Sequence, residues 1–325
     1  VLAGAVAFMV AGAFMFASPA RGRDRVTPTL RFNVFIKTTQ LLDSLVWTGK
    51  QFLFVQNTAN TVWAAPPAGQ PLQQFATMPG LVEETRCVLS PGKQGFPPGA
   101  IFCHSPDNKI YEISPDGASV TVFATLPTPY PPRSDGALAF DRVGHFGYQL
   151  VAATGSNVTT GGLVFRIGPH GGVRKVGKYT GLAGADELVI APRGFGSLTG
   201  DALLTVDAGT KGGAVVAVTP SGQTRKIASF PLGVNPIALI PKVWRTGSTH
   251  APFPGLYLSD DTTGYTYMAP AAGLARSAGD VIIGTESPRP VFWILKPTGM
   301  GVAKIPLGNN LPAGKYSLEQ AIFVP

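Results

Sequence analysis

Gly99-Ala-Ile-Phe-Cys-His-Ser-Pro-Asp-Asn-Lys-Ile-Tyr-Glu-Ile-Ser-Pro-Asp-Gly117 holds two alternating apolar–polar runs, with a polar turn between them and Pro-Asp-Gly after them. Period-two alternation turns one face to a core and the other to solvent, which marks a strand. Proline presets φ and glycine tolerates positive φ, so Pro-Asp-Gly ends the second strand in a tight turn. The stretch is therefore a β-hairpin. The same shape returns in Gln51 to Gly69, Tyr148 to Gly172, Asp201 to Gly222 and Asp280 to Gly299, and more loosely in Pro254 to Gly273.

Most copies are followed by a third strand, as in Gln74 to Thr77, Val120 to Thr125, Val173 to Tyr179, Arg225 to Phe230 and Val302 to Pro306. Most are preceded by a short apolar strand that opens on a polar residue: Asp43, Glu84, Asp135, Asp186, Asn235 or Glu319. From residue 43 to residue 235 these openings recur at intervals of roughly 40–50 residues. Four strands per unit at that period is the signature of radial blades. The sequence thus predicts an all-β fold, a β-propeller of four-stranded blades, six in number. Two hairpins fall between the openings at Asn235 and Glu319, which predicts a degenerate opening strand near Gly273 to Ala278. Ring closure is expected to use Phe32 to Ile36, the C-terminal strand, or both.

Of the 325 residues, 45% are hydrophobic and 14% charged, enough apolar material for a large core. The 40 glycines and 30 prolines are spread among short apolar runs, as many tight turns require. No stretch beyond residue 40 keeps helical spacing for three turns. The net charge of +8 is scattered singly, without the basic face and interleaved aromatics of a nucleic-acid binder.

Val1 to Ala17 is almost wholly apolar and leads to Ser18-Pro19-Ala20 and a run of arginines. This reads as residues 1–20 of a signal peptide lacking its n-region, cut after Ala20, with 21–30 a linker and 31–325 one propeller domain. The expected address is secreted, periplasmic or cell-envelope, with no membrane contact after cleavage; an uncleaved anchor is the rival. Cys87 and Cys103 fall on neighbouring strands, as a cross-strand disulfide or as two buried thiols.

Turns entering the innermost strands of a propeller aim their side chains at its axis. Asp186, Asn235 and Glu319 each stand six residues before a proline (Pro192, Pro241 and Pro325), and Asp43 stands six before Gly49. Carboxylates meeting on one axis must bind a cation, keep protons or stay hydrated. Two readings stay open: turn caps in a wet tunnel, or an oxygen-lined cation site suited to Ca²⁺, Mg²⁺ or Mn²⁺. His104, His145, His170 and His250 share no motif spacing. No nucleophile elbow, zinc-protease helix or phosphate loop is present.

Ile101-Phe-Cys-His-Ser, Asn108-Lys-Ile-Tyr-Glu-Ile, Ser134-Asp-Gly-Ala-Leu-Ala and Asn235-Pro-Ile-Ala-Leu-Ile-Pro241 resemble the blades of six-bladed propellers of the SMP-30/gluconolactonase/NHL superfamily. In its lactonase members a divalent metal sits on the axis. The resemblance implies Glu84, Asp135, Asp186 and Asn235 as ligands of Ca²⁺, Mg²⁺, Mn²⁺ or Zn²⁺, although Glu84-Thr-Arg86 replaces the family's Glu-Gly-Pro. Two functions follow as expectations. One is a scaffold that binds a small molecule, glycan or protein at a propeller face. The other is a metal-dependent lactone or ester hydrolase with Asp186 or Glu187 as its base.

Overall fold

The computed structural model describes residues 29–79, 84–128, 136–155, 161–179, 184–207, 212–244, 252–285 and 289–325. The signal segment, Asp135 and His250 lie outside the described residues.

Six sheets surround one axis as the six blades of a β-propeller. Their innermost strands are Leu42–Trp47, Arg86–Leu89, Gly136–Phe140, Ala185–Ile190, Val234–Leu239 and Leu318–Val324. Each neighbours the next, and the last returns to the first. The polar openings read from the sequence stand at or just before the starts of these strands.

Blades 1 to 4 each use one continuous stretch, running outward in antiparallel steps from inner to outer strand. Blades 5 and 6 are interleaved. After the inner strand of blade 5, the chain crosses to blade 6 and builds its two middle strands, Gly255–Asp260 and Tyr265–Pro270. It then returns to blade 5 for Val281–Thr285, Phe292–Pro297 and Val302–Asn309, and ends as the inner strand of blade 6. The outer strand of blade 6 is Asn33–Lys37, from the opposite end of the chain. Thr29–Leu30 adds a parallel fifth strand to blade 5. Closure therefore uses both termini of the described chain.

This corrects the expected degenerate strand near 273–278, because Ala271–Ser277 form a 3-10 helix. No opening strand is missing there. Of the two hairpins in the gap, the first pairs with the strand bearing Glu319 and the second with the strand bearing Asn235. Pairing across the ring overrides sequence order.

Neighbouring blades pack face to face through apolar residues that alternate along their strands, giving one core per seam. Between blades 2 and 3, Phe102 meets Phe96, Phe123 and Phe140, and Phe96 meets Phe140, all edge to face at centroid separations of 4.7–5.7 Å. Such pairs add about 0.5–1.5 kcal/mol each beyond the area they bury. Gly136 opens blade 3 where a Cβ would lie 2.1 Å from the His104 ring, so only glycine fits this seam. His104 itself lies within the strand Ile101–Ser105, buried rather than in a solvated turn. No helix among the described residues is long and apolar enough to cross a membrane.

Candidate functional site: the propeller axis

The starts of the inner strands bring Asp43, Asp186, Asn235 and Glu319 together, and at their centre stands Arg86. Its Nε donates to the Asp186 carbonyl at 3.0 Å, Nη1 to Asp43 Oδ1, and Nη2 to Glu319 Oε2 at 2.7 Å. Asn235 Nδ2 also donates to Glu319 Oε2, at 3.2 Å, and Ser317 Oγ donates to Glu319 Oε1 at 2.6 Å. Arg86 is 2% exposed and Asp43 fully buried. One side chain from blade 2 thus ties blades 1, 4 and 6 across the axis.

A second layer lies one residue further along the strands. Ser44 Oγ and the Leu45 N–H both donate to Gln320 Oε1 at 2.7 Å, and the Cys87 N–H donates to Ser44 Oγ at 2.8 Å. The Ile237 N–H donates to Glu187 Oε2 at 3.0 Å. Cys87 is also disulfide-bonded to Cys103 on the next strand of its blade, with Cα atoms 4.1 Å apart. The bridge pins the strand that carries Arg86.

Several carboxyls face this single guanidinium, and its charge alone cannot balance them. Burial opposes the charge on Arg86, but Asp43, Glu319, Glu187 and Glu84 outweigh it and raise its pKa. Burial lifts the Asp43 carboxyl well above the usual range; Arg86 opposes this, while Glu319 and Glu84 add to it. Burial also pushes Glu187 up to about 8, against Arg86 and the N–H groups of Ile237 and Ala321. At neutral pH the axis therefore holds a proton on Glu187.

These positions decide what the expected site residues can do. Glu187 is bonded to backbone across the seam to blade 5, and Asp186 meets Arg86 through its carbonyl. Glu84 stands at the same end of the axis in a left-handed conformation (φ 49°), acting on Asp43 and Arg86 through its charge. Asp135 is outside the described residues. Asp43 Oδ2 and Asn235 Oδ1 are buried without a hydrogen-bond partner among the described residues. The permanently charged guanidinium takes Asp43 and Glu319, neither of which is among the four implied ligands, and it meets Asp186 only at the backbone. Among the described residues no group of three or more His, Cys, Asp or Glu side chains is disposed to hold a metal.

Sequence reasoning missed Arg86. Its signal was available, since it is the basic residue among the six opening segments.

Beyond the second layer the inner strands diverge around a funnel of about 780 Å³. Its wall includes Val46, Leu89, Leu138, Val189, Leu239 and Ile322, and Glu187 and Gln320 lie at its floor. At the mouth stand Trp47, the last residue of its inner strand, and Arg142, Arg193 and Lys242, just past the ends of three others.

No protein-family model matches the chain, and no curated protein matches it in sequence. Among solved structures it is similar in fold to a chain of the "Crystal structure of Nidogen/Laminin Complex", with a TM-score of 0.53 and 9% identity. The match covers 87% of this chain and 84% of that one.

Proposed function

We propose that this propeller is a non-catalytic binding scaffold whose ligand site is the axial funnel. The observation that carries the reading is Arg86. An internal guanidinium pairs with Asp43 and Glu319 and holds a network across the axis, and the funnel lies beyond that network. A rigid concave site with an apolar wall and a few polar groups is the usual form of a small-molecule pocket. The solved relative in fold belongs to a complex of nidogen with laminin, which supports a binding use of the architecture. The Cys87–Cys103 bridge supports an oxidising, extracytoplasmic address.

The test is metal analysis of the purified chain, with thermal shifts in Ca²⁺ and Mn²⁺ and an assay of lactone hydrolysis. The scaffold reading expects no bound divalent ion, no shift and no turnover. A divalent ion lost in Asn235→Ala or Asp186→Ala, together with lactone hydrolysis, would replace it with the metal-dependent hydrolase.

A further inference from the structure

The rim cations recur at one structural place in three successive blades. Arg142 follows the inner strand of blade 3 by two residues, while Arg193 and Lys242 follow those of blades 4 and 5 by three, each after a proline. All three are exposed, and none forms an ion pair among the described residues. Asp141, the acid next to Arg142 in sequence, is already used: its buried carboxylate accepts the N–H groups of Val143, Gly144, Phe146 and Tyr148 at 2.7–3.0 Å. Arg193 Nη2 donates to the Val143 carbonyl at 3.3 Å, which draws it toward blade 3. Lys242 runs along Gly279, and its Nζ lies against Gly194, where a Cβ would be 3.0 Å away. The cations thus gather on one arc of the mouth.

Beneath them the wall is apolar, and at neutral pH the carboxyl at the floor carries its proton. From this pairing of an apolar basin with an unbalanced cationic arc, we propose that the funnel binds an amphipathic organic anion, its compact apolar body inside and its carboxylate or sulfonate head on Arg142, Arg193 and Lys242. A six-sided basin around an axis suits a bulky ring body better than a single extended chain. A shallower cleft of about 770 Å³ between the outer strands of blades 1 and 2 shares neither feature. The inference rests on the funnel being the ligand site of the scaffold.

A matched pair of probes tests both points on the full chain. 1-Anilinonaphthalene-8-sulfonate and N-phenyl-1-naphthylamine share one apolar body and differ by the sulfonate. Titration followed by dye fluorescence is expected to give one sulfonate dye per chain, bound about tenfold tighter than the neutral dye. Added salt narrows that gap. The triple variant Arg142→Gln/Arg193→Gln/Lys242→Gln is expected to erase the advantage and leave the neutral dye unchanged. Val189→Trp, which fills the basin, weakens both dyes; Leu239→Gln serves the same purpose if that variant does not fold. Equal binding of the two dyes, or a triple variant that keeps the sulfonate advantage, overturns the anion while leaving the funnel as the ligand site. Dyes indifferent to both wall variants bind elsewhere, and then the funnel itself is the wrong site.

Discussion

Blades 1 to 4 and blades 5 and 6 end as the same four-stranded sheet but draw it from the chain in different ways. Each of the first four is one local segment, held to its neighbours by a seam of alternating apolar side chains. Each of the last two is assembled from distant segments, and blade 6 joins strands from the start, the middle and the end of the described chain. Local blades can form from their own hairpins, whereas interleaved blades need the ring to exist first. The difference teaches where a closed ring is fastened. Its hydrogen-bonded axis links the two kinds of blade, and Arg86 of blade 2 reaches Glu319 of blade 6 to do so.

Three variants and one reduction probe that division. Arg86→Met has the largest expected effect, because it leaves Asp43 and Glu319 buried without their cation. Removing one partner from a buried ion network costs about 3–5 kcal/mol, which a urea midpoint measures. If Arg86→Met folds with wild-type stability, the axis is not the fastening. Next comes Ile36→Ala, in the strand that completes blade 6. Ile36 is fully buried at the seam with blade 1, and its truncation is expected to cost about 2–4 kcal/mol. Hydrogen exchange should then speed up in Tyr265–Pro270 and leave Gly213–Val218 of blade 4 protected. Equal loss in both strands would mean the local and interleaved blades open as one unit.

Reduction of Cys87–Cys103 ranks third, at about 2–3 kcal/mol for a bridge that spans 16 residues. Its effect belongs to blade 2, so melting with and without reductant should show exchange rising first in Arg86–Leu89.

Last comes Glu187→Gln, at the seam between blade 4 and blade 5, whose effect depends on pH. The folded pKa is raised, so the folded chain keeps a proton that the unfolded chain releases above about 4.5. Wild-type stability from this group is therefore fully present below about 4.5 and is lost as pH rises toward about 8. Gln keeps the bond from Ile237 without the titration. The variant should match the wild type at pH 5 and melt a few degrees higher at pH 8.5. Burial lowers the His104 pKa from 6.5 to about 4, so His104 works in the opposite direction, removing stability as pH falls below 6.5. His104 is common to both proteins, so their difference between pH 7 and 8.5 reports the loss of the Glu187 carboxyl. Identical pH profiles for the two proteins would show that Glu187 is ionised in the fold.

The repeat was legible in the sequence because alternation and turn residues are local signals. The hairpin at 99–117 forms Ile101–Ser105 and Lys109–Ile113, as its spacing predicts. The spacing to Pro192, Pro241 and Pro325 likewise grouped residues that meet at one end of the axis. Assignment of the hairpins after Asn235 was not legible. Nothing local in Leu256-Tyr-Leu says that it will pair with Ala321-Ile-Phe rather than with the strand just before it. Arg86 was overlooked for a related reason: the openings were read for their acids, and the cation that faces them stands two residues after Glu84, at the first position of its strand. The funnel is spread over six strands, so no single segment announces it.

The strand that carries Glu319 and Gln320 is also made after every other described strand. Until Leu318–Val324 exists, Arg86 lacks one carboxylate, Ser44 lacks its amide, and the middle strands of blade 6 have one edge bare. A growing polypeptide of this sequence cannot lock the ring with its first four blades alone, so commitment to the native state waits until Leu318–Val324 has been made.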